Sequence, residues 1–339
     1  MKKLLRFGPI LYALLAFMMV IMPLEVHAES KQTLNVYTYD SYISNWGPGP
    51  AIKKAFESQC HCHVNMVGTD DAGSLLSRLQ LEGSSSDADV VLGLDNNQRG
   101  QALKTGLLAK LPTDMPAPKL PLEWHDTTFM PVDWGWFSFV YNKTQLKNPP
   151  TSFDQLLNGH YRIVIEDPRT STPGLGLLVW LRQVYGEHAA DAWRKLRPQI
   201  VTVTGSWSDA YGLFLRGEAN LVLSYTTSPV YHQMEEHNDH YAATLFNEGN
   251  YMEVEVAAKL AHAPHPQLAD QFLKFMASAQ VQKLMATGNW MYPAYASGYP
   301  LPAPFAAAPK PARTLMMVPD KIDANRRAWI SEWQNAMSQ

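Results

Sequence analysis

Residues 166–180 read EDPRTSTPGLGLLVW, and they place two hydroxyls and a Pro-Gly pair directly before a long apolar run. Ser171 or Thr172 can cap a helix there, Pro173 suits its first turn, and the helix is expected from about Leu175 to Tyr185. The short β-branched run before it (162–166) reads as a strand. A strand-loop-helix unit presents free N–H groups and a positive dipole end, a setting suited to an anion such as phosphate. The stretch lacks the Gly-x-x-x-x-Gly-Lys pattern of a nucleotide loop.

Other loops carry aromatic and hydroxyl groups after expected strands. Tyr37, Tyr39 and Asp40 close the first strand, Asp70-Asp71 the second and Asp95-Asn96-Asn97 the third. Ser206-Trp207-Ser208 opens a helix, and Ser224-Tyr225-Thr226-Thr227-Ser228-Pro229 follows a strand. Thr287 to Pro293 forms a further loop containing Trp290. An aromatic residue flanked by Gly and Ser has no helical or strand period that would assign it to a core. Aromatic faces beside a carboxylate suit an organic cation with rings, with or without a phosphate.

Motifs of catalysis are missing. There is no Gly-x-Ser-x-Gly elbow and no His-Glu-x-x-His helix, and His160, His188, His232 and His237 have no ligating spacing. Cys60 and Cys62 are the only cysteines, set in Gln-Cys-His-Cys-His. Zinc sites space cysteines by two to four residues, so a local disulfide or two thiols is expected, and no metal.

The elements that must position these loops alternate. Strands are expected at 34–39, 63–67 and 89–93, and helices at 50–59, 74–82 and 98–105. The continuous apolar character of the third strand fits a parallel sheet covered on both faces. A second set follows, with strands at 162–166, 200–204 and 220–225 and helices at 175–185, 189–196 and 208–216. FMPVDWGWFSFVY (129–141) is too long and aromatic for one ordinary strand and is expected to cross between two lobes, bending at Gly135. YMEVEVAAKL (251–260) is expected to cross back, with helices near 267–276 and 278–285 completing the first lobe. The Pro/Ala-rich 300–312 reads as a linker, and 323–337 as a final amphipathic helix bearing Trp329 and Trp333. The expectation is an α/β fold of two lobes enclosing a cleft with a hinge. The first lobe takes 31–131 and 254–299, the second 132–253, and the tail 300–339.

At the start, Lys2, Lys3 and Arg6 precede an apolar stretch, and Val26-His27-Ala28 resembles a cleavage site. Residues 1–28 are therefore expected to be a signal peptide for export. No later segment is apolar enough to cross a membrane. The formal charge is −3, and removal of this leader leaves about −5, which argues against nucleic acid as a partner.

Several stretches closely resemble one family: YTYDSY with WGPGP, ADVVLGLDNN, EDPRTSTPGLGLL, YGLFLRGEANLVLSYTTSPVYH and TGNWMYP. Together they are similar to the thiamine-binding periplasmic proteins of Gram-negative bacteria, from about Leu34 to Trp333. The resemblance implies a type II periplasmic binding protein fold, no catalytic residues and no cofactor. It implies thiamine, thiamine monophosphate and thiamine diphosphate as ligands, and an ABC importer's permease and ATPase as partners. The family's ligand contacts fall on Asp71, Ala72, Ser171, Thr172, Trp207, Tyr225, Thr226, Thr227 and Ser228. Tyr39, Tyr231 and Trp290 match aromatic positions lining its cleft. On this alignment the turn at Ser171-Thr172 receives the hydroxyethyl or phosphate end, and Asp71 the aminopyrimidine or its charge. Two alternatives stand beside it. One is another solute, ferric iron or a polyamine, with Tyr225, Tyr231 and His232 as iron ligands. The other is a thiaminase-like enzyme using a cysteine.

Overall fold

The computed structural model describes residues 31–338; the expected signal peptide lies outside them. The first set of elements comprises β1 (Thr33–Tyr39), α1 (Gly49–Cys60), β2 (His63–Thr69), α2 (Ala72–Glu82), β3 (Val90–Asp95) and α3 (Arg99–Lys104). Here β1 pairs in parallel with both β2 and β3. The long β4 (Met130–Asn142) leads to the second set. That set comprises β5 (Ile163–Glu166), α4 (Thr172–Tyr185), α5 (Ala189–Leu196), β6 (Ile200–Thr204), α6 (Trp207–Leu215), β7 (Leu221–Tyr225) and α7 (Ser228–Glu235). The chain returns through β8 (Tyr241–Ala243) and β9 (Asn250–Lys259). It ends with α8 (Pro266–Met276), α9 (Ala279–Leu284), β10 (Tyr292–Pro293), α10 (Ala303–Ala307), β11 (Thr314–Leu315) and α11 (Pro319–Ser338).

The strand order is β2-β1-β3-β9-β4-β7-β5-β6. The central pair, β9 and β4, is antiparallel and joins two parallel sets. β4 is one continuous strand, pairing with β9 along Met130–Trp136 and with β7 along Phe137–Val140. Gly135 makes no bend. A Cβ there would lie 2.8 Å from the Met291 Cε, so the glycine admits a neighbouring side chain.

Period-two alternation explains why both faces are covered. Along β3, Val90 and Leu92 enter one core while Val91 and Leu94 enter another. Along β5, Ile163 and Ile165 enter one core and Val164 another. Strands buried on both faces read as unbroken apolar runs, as these do in the sequence. Among the described residues no helix is long and apolar enough to cross a membrane. Cys60 and Cys62 form a disulfide.

The tail departs from its reading as a linker. Within 300–312 the Phe305 side chain is fully buried against Tyr292, with ring centroids 5.6 Å apart. β11 then pairs with β9, and α11 starts at Pro319, earlier than expected. Pro and Ala signal a loop, while a single phenylalanine fixes its packing. Phe305→Ala is expected to cost ~3–5 kcal/mol, the range for a buried phenylalanine. Chemical denaturation checks this, since a true linker position would change stability by less than ~0.5 kcal/mol.

Candidate functional site

A cavity of about 300 Å³ lies where the two sets of strands end. Of the residues expected to bind ligand, Tyr39, Asp71, Thr172, Trp207, Tyr225, Thr227, Ser228, Tyr231 and Trp290 line it. Ala72, Ser171 and Thr226 are buried immediately behind that lining.

The aromatic wall comes from short segments following strands. Trp207, the first residue of α6, stacks on Tyr211 at 5.1 Å, and its Nε1 donates to Ser224 Oγ at 2.8 Å. Ser228 Oγ lies 2.7 Å from Ser224 Oγ and accepts the Tyr225 amide, so these hydroxyls hold the wall's backing. Trp46 faces Trp207 at 6.3 Å from the cavity mouth. Opposite, Trp290 sits in the left-handed region at φ 57°, where a π-helical turn ends. That backbone, costly for a bulky residue, turns its indole edge-on to Tyr231 at 5.5 Å.

Asp71 holds the junction of three helices. Its Oδ1 accepts the amide of Ala72 at 2.7 Å and that of Thr172 at 3.5 Å, and its Oδ2 accepts that of Trp207 at 3.2 Å. The expected cap of α4 is therefore supplied from elsewhere: Ser171 occupies the N-cap position without a side-chain bond. The helix also starts three residues early, because Asp71 satisfies an amide that Pro-Gly alone leaves free. Burial pushes the Asp71 carboxyl up, and the helix-end hydrogen bonds oppose that.

Besides Asp71, the acidic groups of the cavity lie on the crossing strands. Glu253 and Glu255, two apart on β9, line it on one face, and Asp133 of β4 stands opposite Glu255 in register. Tyr39 Oη donates to Glu255 Oε2 at 2.8 Å, and Asn289 Nδ2 to Asp133 Oδ2 at 2.7 Å. Among the described residues Asp133 Oδ1 and Glu255 Oε1 have no partner, and no Lys or Arg lines the cavity. Sequence reasoning missed these carboxylates, together with Trp46 and Tyr211. The available signal was Glu-x-Glu inside a strand otherwise apolar on both faces. Such a wall of acids and aromatic rings can hold a cation and cannot hold a free anion.

Of the residues raised for iron, Tyr225 and Tyr231 line the cavity and His232 does not. His232 is fully buried, with Nε2 2.9 Å from Tyr211 Oη and Nδ1 2.7 Å from Glu236 Oε2, so neither ring nitrogen is open to a metal. The cysteines are paired and do not line the cavity.

Residues 48–283 match the profile of bacterial extracellular solute-binding proteins. The chain is 54% identical to the thiamine-binding periplasmic protein of Salmonella typhimurium, covering 92% of this chain and 95% of that one. A solved periplasmic thiamin binding protein superposes with a TM-score of 0.89 at 53% identity, covering 92% of this chain and 98% of the other. This chain belongs to their family. Iron-bound HitA from Pseudomonas aeruginosa shares the fold, with a TM-score of 0.73 at 22% identity over 90% of this chain and 99% of that one. The fold is accordingly the type II periplasmic binding protein fold, an α/β architecture with a mixed sheet.

In this family member the acidic wall makes stability depend on pH. Burial raises the Asp133 carboxyl to about 7, the Asn289 hydrogen bond opposing it. Burial, and then the Asp133 charge, push Glu253 and Glu255 well up. A carboxyl with a raised folded-state pKa contributes stability that is full below its unfolded value, near 4, and declines until about 7. Asp133→Asn keeps the shape and removes that charge. It should leave the thermal midpoint of the protein without added ligand unchanged at pH 4 and raise it by about 1–2 °C at pH 7.5, the response of a chain of this length to ~1 kcal/mol. Thermal melts across that range check it.

Proposed function

We propose that this protein captures thiamine, and its mono- and diphosphates, in the periplasm and delivers them to the permease and ATPase of an ABC importer, without catalysing any change in them. The observation that carries the reading is the buried acidic face of Glu253, Glu255 and Asp133 beneath an aromatic wall, with no basic side chain among the described residues lining the cavity. The thiazolium ring of thiamine carries a fixed positive charge and cannot neutralise by losing a proton. It can therefore compensate buried carboxylates that no basic side chain of the cavity lining pairs with. Both of its rings are flat and suit Trp207, Tyr231 and Trp290. The cavity of about 300 Å³ falls at the lower edge of the range for small-molecule sites, as a ligand of this size requires. The family's named members are thiamine-binding periplasmic proteins. Ferric iron fits less well, because His232 is committed to Tyr211 and Glu236.

The lobes that close on the ligand are taken as 31–131 with 254–299, and 132–253. Most core residues divide that way, with Val132, Trp136, Val230 and Met252 packing into the cores of the first set. The basic and apolar leader at 1–28 supports export.

Titration with thiamine should quench tryptophan fluorescence, with micromolar or tighter affinity. Absence of both quench and calorimetric heat at ~100 μM thiamine, far above the concentration a specific binder needs, would reject the reading. Because the cation favours the ionised carboxylates, binding should release protons and tighten as pH rises through about 7, where Asp133 titrates. Calorimetry in buffers of different ionisation enthalpy reads that release directly. A Glu253→Gln/Glu255→Gln double variant should bind thiamine at least ~10-fold more weakly, as losing a bond to a charged group costs ~1.5–3 kcal/mol. Thiamine incubated with the protein and a nucleophile should be recovered intact.

A further inference from the structure

The Asp71 carboxylate sits at the edge of the cavity where the first turns of three helices meet. The amides it accepts, from Ala72, Thr172 and Trp207, open α2, α4 and α6, helices of 11, 14 and 9 residues. Three positive dipole ends therefore converge on one side chain, which is 7% exposed and borders the cavity. Two further side chains mark this corner as a built anion position that is already filled. Ser171 Oγ, 2% exposed, stands beside the same carboxyl without a hydrogen bond of normal geometry to it or to any other described residue. Behind it, Glu166 is 1% exposed with both oxygens likewise unpartnered, close enough for the Asp71 charge to weigh on it.

We propose that Asp71 is a specificity-determining residue: an internal anion at the junction of three helix N-termini that sets the balance between ligands with a neutral tail and ligands with a phosphorylated one. A hydroxyl tail can leave the carboxylate in place and donate a hydrogen bond to it. A phosphate has to take the three amides away from Asp71 while facing its charge and that of Glu166. The same amides that would welcome phosphate are thus held by the protein, and the tail's charge decides whether they are released. This role rests on the reading of the protein as a thiamine carrier and deepens it, since it concerns which form of the vitamin is preferred.

Asp71→Ala empties the position, and Asp71→Asn keeps its shape and one acceptor without the charge. Dissociation constants for thiamine and thiamine monophosphate are measured on the wild type and both variants, with inorganic phosphate as a third probe followed by calorimetry. The ratio of the monophosphate constant to the thiamine constant should fall at least tenfold in Asp71→Ala and move the same way in Asp71→Asn. Inorganic phosphate should bind Asp71→Ala and leave the wild type untouched. A ratio that stays level or rises in both variants, with no gain of phosphate binding, overturns the proposal. If the wild type ignores thiamine, the functional reading fails by that result alone, and the phosphate probe still decides the role of Asp71. Should Asp71→Ala not fold, the Asp71→Asn ratio and its phosphate titration decide the same question.

Discussion

The acidic groups on the two crossing strands constrain everything around them. Glu253, Glu255 and Asp133 are almost wholly buried, and β4 and β9 carry them at the centre of the sheet. Removing a carboxylate from water without a counter-charge costs several kcal/mol, so burial favours the protonated form of these carboxyls and a cation would favour the ionised one. Tyr39 and Asn289 supply hydrogen bonds but no positive charge. The strands that join the two halves are thus also the strands whose charge asks for a ligand. Occupancy of the site and the energetics of the scaffold are linked through the same residues.

The two sets of elements also meet through a different kind of contact. Asp71 comes from the end of β2, yet it receives the first amides of α4 and α6 from the second set of elements. Beside it the Gly73 amide donates to Thr170 O at 2.8 Å, and a Cβ on Gly73 would sit 2.5 Å from Arg169 O. Backbone meets backbone here, and only glycine allows that approach. The three helix ends converge because one carboxylate satisfies donors that would otherwise face water or a ligand.

Most of the fold could be read from the sequence, since buried parallel strands leave apolar runs such as 89–93 and 162–166 that helices must cover. The aromatic side of the site was legible too, because Trp207 and Trp290 stand among Gly, Ser and Asn where no core period accounts for them. The acidic side was not. Glu253 and Glu255 lie within a run whose apolar neighbours make it read simply as a strand, and Asp133 meets them only through the β4–β9 register. The cap of α4 misleads for a similar reason. Ser171 is the local candidate, but the acceptor comes from Asp71, 101 residues away from Thr172. Local preference names a suitable capping residue, and tertiary structure decides which one does the capping.

The tail ties the two sets of elements together at a second seam. Trp136 Nε1 donates to Thr314 Oγ1 at 3.0 Å, while Tyr251 Oη donates to Asn97 Oδ1 at 2.7 Å and accepts the Met317 amide. Along α11, Asp323 pairs with Lys104 of the first set and Glu332 with Arg182 of the second, so the helix is fastened to both. Ile322, Trp329 and Trp333 are buried in the core of the second set. Each such side chain contributes ~1.5–3 kcal/mol by burial, and water offers nothing in exchange when it is exposed. The amides held by Asp71 can instead be rehydrated, and the net value of such bonds is smaller than their gross strength. Of the two seams between the halves, the one at Asp71 is therefore the cheaper to break. A separation there would leave the β4–β9 pairing, the contacts of the tail and the apolar cores intact.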